Sequence, residues 1–209
     1  MRRLAAAFHP QPLAKKHRHK GDLPVRLFVA ISLTPELLEA FSALLQELRP
    51  LAPLAKFVPA ENLHLTLKFL GEVAPSQLDA LRTTLSAIHS VRPVTLEFHA
   101  LEFSPNERHA RVLWAPAESS SVLKSLAEDI DHALHQLGLL SENRPFKAHL
   151  TLARFYKPGL PPKFRATVAE NAARSFGSLT TAEFHLMESK LKPTGAEYTI
   201  LQSFPFVAS

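Results

Sequence analysis

The sequence predicts an α+β fold of two related lobes, with mixed hairpins and intervening helices. Three observations predict it. Strand-like and helix-like segments succeed one another without the regular alternation of a doubly wound sheet. The tetrapeptide His-Leu-Thr-Leu occurs twice, at 64–67 and 149–152. The 85-residue separation of the copies is too long for a solenoid repeat and suits two related lobes.

Residues 26–31, Arg-Leu-Phe-Val-Ala-Ile, form a nearly continuous apolar run that reads as a buried strand. Thr34-Pro35-Glu36 reads as a helix start: a capping hydroxyl, proline in the first turn and an acid near the positive end of the dipole. Leu37, Leu38, Phe41, Leu44, Leu45 and Leu48 recur at helical spacing until Pro50 and Pro53 stop the helix. The first motif strand runs to about Leu70, with Gly71 ending it. A second helix comes after Pro75, with Leu78, Leu81, Leu85 and Ile88 on one stripe. Residues 94–103 and 111–115 read as strands flanking turn chemistry at 104–107. A third helix is capped within 119–121 and closed by Gly138. The second motif strand spans roughly 146–155, and a helix is expected over 162–174. Two strands, near 183–191 and 198–206, finish the chain around a turn at Pro193-Thr194-Gly195.

Composition bounds the function. The chain has 209 residues, 46% of them apolar and none cysteine. It can therefore bury a large core, but it has no disulfide, thiolate metal site or cysteine nucleophile. No apolar run is long enough to span a bilayer, so no membrane association is expected. The formal charge of +5 is uneven: residues 1–20 hold six Lys/Arg and no acid, leaving 18 basic against 19 acidic residues elsewhere. Residues 1–24 read as a basic, disordered extension, and 25–209 as the folded two-lobe domain. A basic arm attracted to RNA phosphates is a second reading of the extension, and a serine-poor transit peptide a third.

In a strand, His and Thr of each motif share one face and the two leucines the other. Two such strands side by side would bring an acid and a base together, and imidazole is the side chain that titrates nearest neutral pH. His64, Thr66 and Lys68 thus share a polar face. In the second copy Ala153 stands where Lys68 stood, and Arg154 comes one place later. Strict alternation turns Arg154 away from His149 unless a bulge or the strand's end re-aims it. Phe57 and Phe146 lie near the motifs as packing residues or base-stacking platforms. Trp114 reads as core. His89, His99, His109, His132, His135 and His185 read as surface or strand-face residues.

With these residues the chain resembles the 2H phosphoesterase superfamily, and within it the RNA 2′,3′-cyclic phosphodiesterases, also described as 2′-5′ RNA ligases. The likeness covers nearly all of residues 25–206. It rests on Arg26-Leu27-Phe28-Val29-Ala30, on residues 62–71 around the first motif, and on Val112-Leu113-Trp114. It continues with Arg144-Pro145-Phe146 ahead of the second motif and its Ala153-Arg154, then Glu188-Ser189 and Gly195-Ala196-Glu197-Tyr198. Ala148 stands where relatives often have proline, and Phe57 where they often have tryptophan.

The resemblance implies two similar lobes of antiparallel sheet with outer helices, related by a pseudo-two-fold, and an active-site cleft between the lobes. It also implies His64 as proton donor, His149 as proton acceptor, and a 3′-oxygen that leaves to give a 2′-phosphate. Thr66 and Thr151 are expected to donate hydrogen bonds to the non-bridging oxygens. Lys68, Arg154, Phe57 and Phe146 are the candidate substrate contacts. Neither a metal nor another cofactor is expected, and no zinc-binding pattern is present in the sequence. The expected protein is a monomeric, cytoplasmic hydrolase whose partner is RNA with a 2′,3′-cyclic phosphate end, with reverse 2′-5′ ligation possible. Two rival readings are a cyclic phosphodiesterase for small nucleotides such as ADP-ribose cyclic phosphate, and a non-catalytic module that binds RNA ends.

Overall fold

A computed structural model describes residues 23–89, 93–142, 144–157, 159–193 and 195–206. The basic extension, except for its last two residues, and the middle of the turn at 193–195 lie outside the described residues. Among these residues ten strands form one curled sheet: β1 (Val25–Ser32), β2 (Lys56–Phe57), β3 (His64–Val73), β4 (Val94–His99), β5 (Glu102–Ser104), β6 (Val112–Ser119), β7 (His149–Arg154), β8 (Ser175–Thr181), β9 (Glu183–Lys192) and β10 (Gly195–Pro205). Four α-helices accompany them among the described residues: α1 (Pro35–Leu48), α2 (Leu78–Ser86), α3 (Ser121–His135) and α4 (Pro162–Glu170).

The strand order is β10-β9-β1-β3-β7-β6-β4-β8, with β2 on β7 and β5 on β6. All pairings are antiparallel. The halves of this order are the two lobes. One combines the first strands of the chain with the last two; the other is built from the middle. They meet where the motif strands β3 and β7 touch, and there a single residue pair, Leu65↔Leu150, is in register. A two-fold between antiparallel strands passes through such a pair, so His64 and His149 sit at equivalent positions on either side of it.

Helices lock the lobes to each other. The α1 helix comes directly after β1, yet its Phe41 stacks on Phe176 of β8 at 5.0 Å between ring centroids and meets Phe98 of β4 edge-on at 5.9 Å. Gly177 lies where β8 approaches α1; a Cβ there would stand 3.2 Å from Leu37 Cδ2, and its φ of +114° also favours glycine. Conversely, α3 comes after β6 but packs against β3 of the other lobe. The α1 helix buries Leu37, Phe41, Leu44, Leu45 and Leu48 of the stripe read from its sequence, and α3 buries Leu123, Leu126, Ile130 and Leu134. Thr34 caps α1, accepting from the Leu37 N–H at 3.5 Å.

Several boundaries differ from the sequence reading. The first motif strand does not stop at Gly71. It passes through a bulge at Leu70, where Gly71 takes φ +72°, and continues to Val73. Residues 94–103 are two strands, because Ala100 at φ +60° breaks the run. The last helix ends at Glu170, short of 174. The sequence pattern predicts no strand over Ser175–Thr181, where a bulge at Phe176 spaces the buried Phe176 and Leu179 three apart and erases the period-two signal. No described helix is long and apolar enough to cross a membrane.

Candidate active site

Leu65, Leu67, Leu150 and Leu152 are buried, which drives the two motif strands to turn their other face outward. That face forms the floor of a cleft of about 980 Å³, where His64, Thr66, His149 and Thr151 come together. Continuing the Leu65↔Leu150 register sets Thr151 opposite His64 and His149 opposite Thr66. Each imidazole therefore neighbours the hydroxyl of the other motif.

The two rings are held in the same way. His64 Nδ1 lies 2.8 Å from the backbone carbonyl of Asn62, and His149 Nδ1 lies 2.8 Å from that of Lys147. A carbonyl only accepts, so Nδ1 carries the hydrogen in both rings. Each Nε2 is then left as the proton acceptor of the neutral ring or the second donor of the charged one. Aromatic neighbours fix the ring planes. Phe28 lies 4.7 Å from His64 and Tyr198 meets it edge-on at 5.1 Å, while Trp114 lies 4.5 Å from His149. The indole N–H of Trp114 in turn donates to Glu102 at 3.2 Å. Asn62 uses its side-chain amide to bond the Ala196 carbonyl at 2.7 Å, tying the His64 turn to β10.

Both imidazoles are pushed below the ordinary histidine range. Burial is the main cause for each, opposed by the carbonyl bond at Nδ1; for His149 the nearby Arg154 guanidinium lowers it further. Both rings are accordingly neutral at pH 7 when the cleft is empty.

Beyond each motif a bulge determines which side chains reach the cleft. In β3 the pairing with β1 skips Leu67, and in β7 the pairing with β6 skips Leu152. The extra residue reverses the alternation after it. Arg154 is thereby turned into the cleft, through the re-aiming that its position in the sequence requires. The equivalent residue in β3 is Phe69, which also lines the cleft.

Lys68 is corrected by the same bulge. It points to the opposite side, is 2% exposed, and its ammonium bonds Asp131 of α3 and the Leu140 carbonyl. It cannot touch a ligand in the cleft. Burial alone would raise the Asp131 carboxyl, but Lys68, the Glu142 N–H and Ser141 together hold it below its usual range, so the pair is ionic. Phe57 lines the cleft, whereas Phe146 does not and packs against the core. Trp114, expected in the core, is a wall of the cleft. His185, expected on a surface or strand face, is 5% exposed and bonds Ser203 through Nδ1 at 2.9 Å. Phe28 and Phe69 are cleft residues that the sequence reading does not assign to the site, and Tyr198, read from the sequence as a structural or a substrate-contacting residue, also lines the cleft. Alternation within Val112-Leu113-Trp114, with Leu113 inward, is a signal that finds Trp114. Nothing in the sequence announces the bulge that delivers Phe69.

The profile of the LigT-like phosphoesterases matches this chain twice, over residues 31–114 and 115–198. The chain belongs to the LigT-like phosphoesterase family. The two matches correspond to its two motif copies. A protein of Archaeoglobus fulgidus named RNA 2′,3′-cyclic phosphodiesterase is 33% identical over 180 residues, covering 86% of this chain and 99% of that protein. Among solved structures, the Thermus thermophilus protein TT0787 superposes with a TM-score of 0.72 at 32% identity, covering 88% of this chain and 98% of its own. The E. coli LigT complex with 3′-AMP also has a TM-score of 0.72, at 28% identity, with 88% and 99% coverage. The two-lobe architecture of this LigT-like phosphoesterase is thus shared along nearly the full length of these relatives.

Proposed function

We propose that this LigT-like phosphoesterase opens the 2′,3′-cyclic phosphodiester at an RNA end, using one histidine as base and the other as acid. The observation that carries the reading is the matched pair of Nδ1–H to carbonyl bonds, which leaves an Nε2 on each imidazole for proton transfer. The names of the relatives support the choice of substrate.

In the proposed reaction, His149 Nε2 takes a proton from water as the water oxygen attacks phosphorus. The P–O3′ bond breaks on the far side, and protonated His64 delivers its Nε2 proton to the departing 3′-oxygen. The product is a 2′-phosphomonoester with a free 3′-hydroxyl. Thr66 and Thr151 donate to the non-bridging oxygens as negative charge builds there, and Arg154 adds a positive field. Arg154 also supports this division of roles. A guanidinium beside His149 disfavours a second cation there, so the proton attracted by an anionic substrate goes to His64. A ribose 5′-hydroxyl in place of water would make the same geometry form a 2′-5′ linkage.

The test is turnover of a mononucleotide 2′,3′-cyclic phosphate, with the product identified by phosphorus NMR. The 2′-phosphate is expected; a 3′-phosphate would reverse the assigned orientation, and no turnover would sink the reading. The pH profile of kcat/KM reports the free enzyme. Because both histidines are lowered, both limbs of the bell shift toward acid. The maximum is expected below about pH 6.5, the ordinary histidine value, with activity falling as pH rises past neutral. An optimum well above neutral would contradict the charge states described.

A further inference from the structure

We infer that a second, basic groove at the outer end of the cleft binds the phosphates of nucleotides upstream of the reacting end. The preferred substrate is then an RNA chain and not a free cyclic nucleotide. This inference rests on the proposed function and specifies its substrate.

The groove, of about 450 Å³, is lined by Arg108, Arg111, Lys157 and Arg165, with Glu107 as its acid. Arg165 ion-pairs with Glu107 at 3.3 Å. Among the described residues the other three cations have no acidic partner. Residues 21–209 hold 18 basic and 19 acidic residues, so a cluster of this sign is a local feature and not a spillover of net charge.

Continuity with the reaction site is the second observation. Val112 and Arg154 are paired across β6 and β7, and both line the catalytic cleft. The residues just beyond them, Arg111 on one strand and Tyr156 and Lys157 on the other, line the groove. Phe155 N–H donates to the Arg111 carbonyl at 2.8 Å, holding the two strand ends together across this junction. Tyr156, which is 68% exposed, borders both spaces. An exposed ring between a phosphate-opening site and a row of unpaired cations suits a stacked base with its backbone running outward.

The chemistry of the end sets the direction. A 2′,3′-cyclic phosphate occupies the 3′ terminus, so the rest of an RNA leaves through the 5′-oxygen of the terminal nucleotide. A free cyclic nucleotide has nothing to place in the groove.

The experiment compares two substrates with the same terminal nucleotide, a mononucleotide 2′,3′-cyclic phosphate and a short RNA oligonucleotide with that end. Both are given to the wild type and to an Arg108→Gln/Lys157→Gln variant. Wild type is expected to show a lower KM for the RNA. In the variant that KM rises about tenfold at low salt, and its dependence on log salt weakens by about 1.4, two phosphate contacts at roughly 0.7 each. Mononucleotide turnover stays unchanged, which also reports that the variant is folded. Equal KM for the two substrates in wild type, or an RNA KM and salt slope untouched in the variant, overturns the groove while leaving the proposed reaction standing. Failure of wild type to open either substrate overturns both.

Discussion

His64→Ala and His149→Ala are each expected to lower the rate of cyclic-phosphate opening by about a thousandfold, within the range for loss of a general acid or base. The double variant is expected to lose little more than either single one. In the proposed reaction, proton removal from water and proton delivery to the leaving oxygen belong to one displacement, and groups that act as a unit have non-additive effects. The alternative, a non-catalytic module whose rings only grip a terminal phosphate, predicts saturable binding with no turnover even in the wild type. Single-turnover rates for the wild type and the three variants on a mononucleotide substrate separate the two cases. Full activity in either single variant would eliminate the two-histidine mechanism. Thr66→Val and Thr151→Val, which keep the shape and remove a donor, are expected to lower kcat by about a hundredfold each with KM nearly unchanged.

Asp131→Ala is expected to destabilise the fold by about 3 kcal/mol, because it strands the Lys68 ammonium in the interior. The Lys68 side chain is 1% exposed and that of Asp131 26%, and only the Leu140 carbonyl remains as a partner. Lys68→Met is milder, since a flexible apolar side chain replaces the buried stem, and the carboxylate left behind is 26% exposed and keeps the Glu142 N–H as a donor. Urea unfolding of the two variants measures the difference. A Lys68→Met variant with normal KM for the cyclic phosphate would agree with a lysine that faces away from the cleft. A large loss of substrate affinity in that folded variant would restore Lys68 to the site.

Lys68 also marks where the sequence stops being legible. The helices and the shared face of each motif strand come from period-3.6 and period-two patterns that burial enforces directly, and the lobes and the paired histidines from the repeated motif and the family resemblance. His64 and Thr66 lie ahead of the bulge at Leu67, so alternation predicts their shared face correctly, and the same holds for His149 and Thr151 ahead of Leu152. Past the bulges, alternation misassigns Lys68 and leaves Arg154 undecided. A bulge depends on how the partner strand pairs, which a single strand's sequence does not encode. The β8 strand is hidden for the same reason. Trp114 is misplaced on different grounds: a large aromatic suggests core, but Leu113 already takes the buried position in that strand.

The twin bulges have a consequence for how such a site can diversify. Each acts as a spacer that sets the frame in which later side chains are presented, and the frame is identical in both halves. Removing Leu67 alone would swing the lysine behind it into the open space and retire Phe69, with no other change in sequence. Substituting the residue delivered by either spacer, by contrast, alters what one rim offers to an incoming molecule and leaves the chain path alone. One rim now ends in a phenyl ring and the other in a guanidinium. A backbone built on near-symmetry thus presents two chemically different rims.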